Sequence, residues 1–72
     1  MEKEIEYGVL LRDDGPELVL SVLCGAIGEF VVTIALNEAE RQRYEVEGDA
    51  FIQDLAAKVR WRPKDYSARH RN

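Results

Sequence analysis

The chain has 72 residues, of which 33% are charged and 46% hydrophobic, and a formal net charge of −4. This is globular composition on a length that holds one small domain. Sandwiches, closed barrels and dinucleotide-binding folds are excluded, because each needs more strands than the chain can form.

A chain this short buries a small core, and the gain from apolar burial roughly cancels the entropy of ordering. Small domains are commonly reinforced by disulfides, a metal or self-association. Cys24 is the only cysteine and His70 the only histidine, so the sequence predicts no disulfide, no metal and no cofactor. A homodimer is the remaining route. One cysteine and an acidic start at Met1-Glu2-Lys3-Glu4, unlike a secretory n-region, predict a reducing, cytoplasmic setting. The longest apolar run, residues 18–27, is broken by Ser21 and Gly25. It falls short of the ~20 residues a membrane span needs, so no membrane association is expected.

In chain order, Ile5, Tyr7, Val9 and Leu11 alternate with Glu4, Glu6, Gly8, Leu10 and Arg12. That period of two predicts a first strand with one apolar face. It ends at Asp13-Asp14-Gly15-Pro16, where Asp caps local backbone, Gly supplies positive φ and Pro cannot extend a ladder. A second strand is expected over residues 17–23, apolar on both faces as a central strand would be. Residues 24–28 read as a loop. A third strand is expected over residues 29–36, with Phe30, Val32, Ile34 and Leu36 on one face and Val31, Thr33 and Ala35 on the other. Short connections favour an antiparallel meander.

Asn37 followed by Glu40 is a capping box, so a helix is predicted from residue 38. The stripe Tyr44, Gly48, Phe51, Ile52, Leu55, Ala56 and Val59 runs in steps of three and four. It predicts one long helix, bent at Gly48, with two separate helices as the alternative. Pro63 stops it by Arg62. The expected fold is therefore α+β: a three-stranded antiparallel β-meander and one long C-terminal helix, β-β-β-α. Residues 1–63 form the domain and residues 64–72 a basic irregular tail. The predicted core is Ile5, Tyr7, Val9, Leu11, Phe30, Val32, Ile34, Leu36, Phe51, Ile52, Leu55 and Val59, with one face of the second strand. Since one helix covers one sheet face, the other is expected to leave apolar residues such as Leu23 and Val31 open, the mark of an interface.

Charge is unevenly distributed. Residues 1–57 carry a net −9, whereas residues 58–72 carry a net +5. In the basic stretch Lys58, Arg60, Arg62, Lys64, Arg69 and Arg71 interleave with Trp61, Tyr66 and His70, and these nine are the candidate contact residues. Cations at a helix C-terminus complement its dipole, and a basic tail can fold back on an acidic body. The same interleaving suits stacking and phosphate contacts on single-stranded nucleic acid, although the acidic body repels a polyanion. An acidic protein partner is a further use of the tail.

No catalytic constellation emerges. Asp13, Asp14 and Glu17 are explained by their turn, and calcium takes six to eight oxygens, usually from a longer loop. Gly25-x-x-Gly28 shares its spacing with the phosphate-clamping loop of KH domains, but that loop needs helices on both sides, and strands are expected here. Ser21, Thr33 and Ser67 lack a rigid base and orienter. Cys24 reads as a small buried hydrophobe, and Glu45, Glu47 and Asp49 as a solvated helix face. The sequence thus predicts a non-enzymatic interaction or adaptor protein acting as a homodimer. A weak single-stranded nucleic-acid binder is the alternative.

Overall fold

The computed structural model describes residues 2–25, 28–67 and 69, with the side chains of Asp14 and Ser67 excepted. Among them the chain is α+β, with an antiparallel sheet followed by helices: β1 (Glu2–Glu6), β2 (Val9–Asp14), β3 (Glu17–Cys24), β4 (Phe30–Ala35), α1 (Glu38–Glu47), α2 (Asp49–Trp61) and α3 (Pro63–Ser67). The strands form a meander in the order β1-β2-β3-β4.

The expected first strand is two strands. Gly8 adopts φ 76°, a left-handed conformation that only glycine takes without strain, and the chain reverses there. Glu6 then pairs with Val9 and Glu2 with Arg12. The register shifts between Glu4 and Glu6, so Ile5 is the extra residue of a β-bulge and still packs against the core. Tyr7, expected in the core, stands on the turn and is 82% exposed. The second reversal follows its turn chemistry, since Gly15 at φ 77° precedes Pro16, and glycine first with positive φ is what a II′ hairpin turn requires.

β3 is one of the two inner strands, paired to β2 from Val22↔Val9 to Glu17↔Asp14 and to β4 from Val19↔Ala35 to Cys24↔Phe30. Its Leu18, Leu20, Val22 and Cys24 face the helices. There they join Val9, Leu11, Val32, Ile34 and Leu36 and, from α2, Phe51, Ile52, Leu55, Ala56 and Val59. Phe30, expected in this core, lies at the start of β4 and is half-exposed.

One long helix is not formed. Gly48 takes φ 69° and ψ −145°, its N–H donates to the Tyr44 carbonyl at 2.7 Å, and α2 starts afresh at Asp49. The expected capping box is present: Glu40 N–H donates to Asn37 Oδ1 at 2.8 Å, and Asn37 N–H to Glu40 Oε1 at 2.9 Å. No α1 residue is fully buried; Tyr44 packs against the core from one side, and α2 carries the rest of the stripe. The tail is not wholly irregular either. Pro63 ends α2 but opens α3, because its fixed φ and missing N–H suit the first turn of a helix. Tyr66 on α3 packs against the core cluster.

Candidate functional site

Two surfaces emerge, one on the sheet and one at the end of α2. With the helices on one face, the other face of the sheet carries Leu10, Val19, Ser21, Leu23, Val31, Thr33 and Ala35. Cross-strand pairing sets them in rows, with Leu10 beside Ser21 and Thr33, and Leu23 beside Val31. Val31 is 50% exposed, and Leu10 and Leu23 are partly so. A shallow hollow of about 230 Å³ lies between Glu4, Gly8, Leu10, Ser21, Leu23 and Val31. The Ser21 and Thr33 hydroxyls lie 3.2 Å apart and hydrogen-bond to each other. Leu23 and Val31 were expected here; Leu10 was the apolar exception on an otherwise polar strand face.

The nine basic and aromatic candidates separate by position. Arg60 turns back onto the sheet: Nε donates to the Leu23 carbonyl at 3.1 Å and Nη2 to the Tyr7 carbonyl at 2.9 Å. Arg69 closes on α1, where Nη2 donates to Glu40 Oε1 at 2.6 Å and Nη1 to Glu40 Oε2 at 3.2 Å. Its Nη2 also reaches the Ala35 carbonyl at 2.9 Å. Partial burial of Glu40 pushes its carboxyl up, but hydrogen bonds from Arg69 and the Asn37 N–H, with the Arg69 charge, outweigh that and hold it below its ordinary value. Arg69 is raised in turn, through its hydrogen bond to Glu40 first, so it is always a cation. The Glu40 signal was legible as a helix cap; nothing in the sequence pairs it with a residue 29 positions away.

Lys58, Trp61, Arg62 and Tyr66 come together. With Ala57 and Asp65 they line a cleft of about 460 Å³ between α2 and α3. Trp61 is 84% exposed. Arg62 Nε pairs with Asp65 Oδ2 at 2.9 Å beside the cleft, with both side chains exposed. Lys64 is exposed on α3 but does not line the cleft. His70 and Arg71 lie outside the described residues, as does the centre of the loop expected over residues 24–28.

Cys24 is buried, and burial pushes its thiol pKa up against the opposing charge of Arg60 and a backbone hydrogen bond with Val32. A raised pKa withholds the thiolate that a nucleophile or metal ligand needs. No helix among the described residues is long and apolar enough to cross a membrane. Comparison with known proteins finds no matching family model, no matching curated sequence and no matching solved structure.

Proposed function

We propose that this chain is a non-enzymatic protein-interaction module of the cytoplasm, working as a homodimer joined through the helix-free face of its sheet. One observation carries the reading: Leu10, Leu23 and Val31 stand partly exposed around a shallow hollow on that face. Apolar residues grouped in this way on a small domain favour association, and a twofold pairing of the same patch closes on itself without leaving a sticky end. The hydroxyls of Ser21 and Thr33 share a hydrogen bond, which lowers the cost of carrying this polar row into an interface. The buried free thiol of Cys24 supports a reducing compartment.

Sedimentation equilibrium at micromolar concentration tests the dimer. The expected mass is twice the 8.3 kDa of one chain. Val31→Glu, which sets a charge in the patch, should return the mass to one chain with the helical circular dichroism unchanged. A concentration-independent mass of one chain for the parent protein overturns the reading.

The alternative, a weak single-stranded nucleic-acid binder, is favoured by the exposed Trp61 between Lys58 and Arg62. Bases stack on such an indole. Arg60, Arg69 and Arg62, however, are engaged by the protein's own carbonyls and carboxylates, so at most two phosphate contacts form at the cleft, by Lys58 and by Arg62 once it leaves Asp65. On this reading the salt dependence of log K should have a slope of about −1.4. Fluorescence anisotropy with a labelled poly-pyrimidine 12-mer measures it.

A further inference from the structure

The two outer strands of the sheet are unlike in sequence. β1 carries Glu2, Lys3, Glu4 and Glu6 and has its bulge at Ile5. β4, from Phe30 to Ala35, has no charge, no proline and an unbroken register with β3. A strand of the second kind at a sheet edge is a template for another strand unless something covers it.

One hydrogen bond sets the phase of the ladder. Leu36 N–H donates to the Leu18 carbonyl at 2.8 Å. Bonded and non-bonded pairs alternate along an antiparallel ladder. Phe30, Val32 and Ile34 therefore bond to β3, while Val31, Thr33 and Ala35 turn their backbone N–H and C=O to the outer side. On that side the Ala35 carbonyl accepts from Arg69 Nη2 at 2.9 Å. The same guanidinium is held by both carboxylate oxygens of Glu40 at the start of α1. Next to it α3 packs beside β4, with Tyr66 against the core. The end of this edge is thus guarded by a short C-terminal segment, fastened by the Arg69 clasp and one ring, and by nothing in β4 itself.

We propose that β4 is a strand-addition site for β4 of a second copy of this chain, kept shut by α3 and the Arg69 clasp. The occupant follows from the strand's own pattern. Antiparallel self-pairing with Thr33 on the twofold sets Val31 beside Ala35, Val32 beside Ile34 and Phe30 beside Leu36. Each of these pairs is apolar, and Thr33 meeting itself is a favourable cross-strand pair. β1 would instead oppose glutamates to the incoming strand. The self-pairing uses the outward backbone groups of Val31, Thr33 and Ala35 in both chains, and the Ala35 carbonyl is the one Arg69 holds. Clasp and pairing therefore exclude each other. The contact is isologous: it consumes both β4 edges and leaves the two charged β1 edges outside, so it stops at two chains. It goes beyond the sheet-face dimer, because it joins backbone groups at the edge rather than side chains on the face.

Arg69→Ala removes charge-assisted hydrogen bonds and should raise the fraction of open chains about ten- to a hundredfold. Sedimentation velocity from about 1 µM to 1 mM reads the pairing by mass action. The background is Leu10→Glu, which charges the helix-free face outside β4 and removes the sheet-face dimer, so the result does not depend on that contact. In it the clasped chain should stay at one chain and Arg69→Ala should reach two. The Val31 and Ala35 amides should gain protection from hydrogen exchange as the mass rises, which face-to-face packing would not give them. Ala35→Pro, added to Arg69→Ala, removes an outward N–H and turns its ring toward the incoming strand without breaking a bond to β3. It should return the mass to one chain with the circular dichroism unchanged. Tyr66→Ala loosens α3 without altering Arg69, and should give the same pairing even where Arg69→Ala does not fold. A mass of one chain for both Arg69→Ala and Tyr66→Ala overturns the proposal. So does an association that survives Ala35→Pro, or one that grows beyond two chains.

Discussion

Gly8 shows how one residue ties three elements together. Its φ of 76° lets the chain reverse between β1 and β2. Its carbonyl accepts from Leu23 N–H at 2.7 Å, which joins the turn to β3. A Cβ built on it would lie 3.0 Å from Arg60 Nη2 and 3.0 Å from Leu23 Cβ. Gly15, with φ 77°, has nothing within 4 Å of the same hypothetical atom. The pair therefore separates backbone strain from crowding. Gly15→Ala should cost about 1–2 kcal/mol through its left-handed φ alone. Gly8→Ala should cost more, about 2–4 kcal/mol, because the turn must also shift or release Arg60 from its two carbonyls. Urea melts of both variants measure the difference, and equal costs would show that crowding against Arg60 and Leu23 adds nothing to the strain of the left-handed φ.

Glu40 is the second informative residue, since one carboxylate serves both the α1 cap and Arg69. Its pKa is lower folded than unfolded. Its contribution to stability is therefore fully present above the unfolded value of about 4.3 and is lost as pH falls through the folded value. Glu40→Gln keeps an acceptor for the Asn37 N–H and removes the titration. It should be less stable than the parent at pH 7, and the gap should narrow at pH 3. A gap that stayed constant between the two pH values would mean that the charge of Glu40 is not what holds Arg69.

The elements differ in how openly the sequence declares them. The run from Val9 to Leu36 could be read because each strand there has a β-branched or leucine-rich face bounded by turn residues with a mechanism. The break at Tyr7-Gly8 could not. A two-residue reversal with a bulge at Ile5 keeps Ile5, Val9 and Leu11 on one face, so a hairpin and a straight strand carry the same alternation. The helical stripe misled in the same way. Tyr44 and Phe51 both reach the core although Gly48 separates their helices, because α1 packs beside α2, which lies against the sheet. The far partner of Arg69 was beyond any local pattern, whereas the cleft residues Lys58, Trp61 and Arg62 could be picked out as basic and aromatic residues close together. The division of labour between the helices gives a prediction at this scale. Leu55 on α2 is buried and should cost about 2–5 kcal/mol as Leu55→Ala, through lost transfer energy and the cavity left behind. Gln42 on α1 is exposed, and Gln42→Ala should stay within about 0.5 kcal/mol in the same chemical melts.

At the scale of the whole molecule, part of the charge asymmetry is consumed inside the fold. Lys3 of β1 pairs with Asp49 at the start of α2 at 2.9 Å, Arg60 binds two carbonyls at one end of the sheet, and Arg69 binds Glu40 and the end of β4. The two outer strands are protected differently. β1 is charged at Glu2, Lys3, Glu4 and Glu6, which opposes pairing with another chain, while Arg69 occupies the Ala35 carbonyl at the end of β4. The C-terminal segment is thereby held by two kinds of force, and salt distinguishes them. Tyr66→Ala removes apolar packing, a loss of about 1–2 kcal/mol for a half-buried ring that should hardly change between 0.01 M and 1 M salt. Arg69→Ala removes charge-assisted hydrogen bonds, about 1.5–3 kcal/mol, and part of that loss should fade at high salt because the pair is only partly shielded from solvent. Arg69→Lys should recover little of it, since an ammonium cannot span two carboxylate oxygens and the Ala35 carbonyl with the geometry of the guanidinium fork. The Arg69 and Tyr66 side chains also lie within 6.0 Å, guanidinium carbon to ring centroid, so the double variant should lose less than the two single losses combined. Guanidinium melts would mask the salt effect, so urea is the denaturant to use. Strict additivity would mean that the clasp and the packing act independently, and the same salt response for Tyr66→Ala and Arg69→Ala would mean that two kinds of force are not at work.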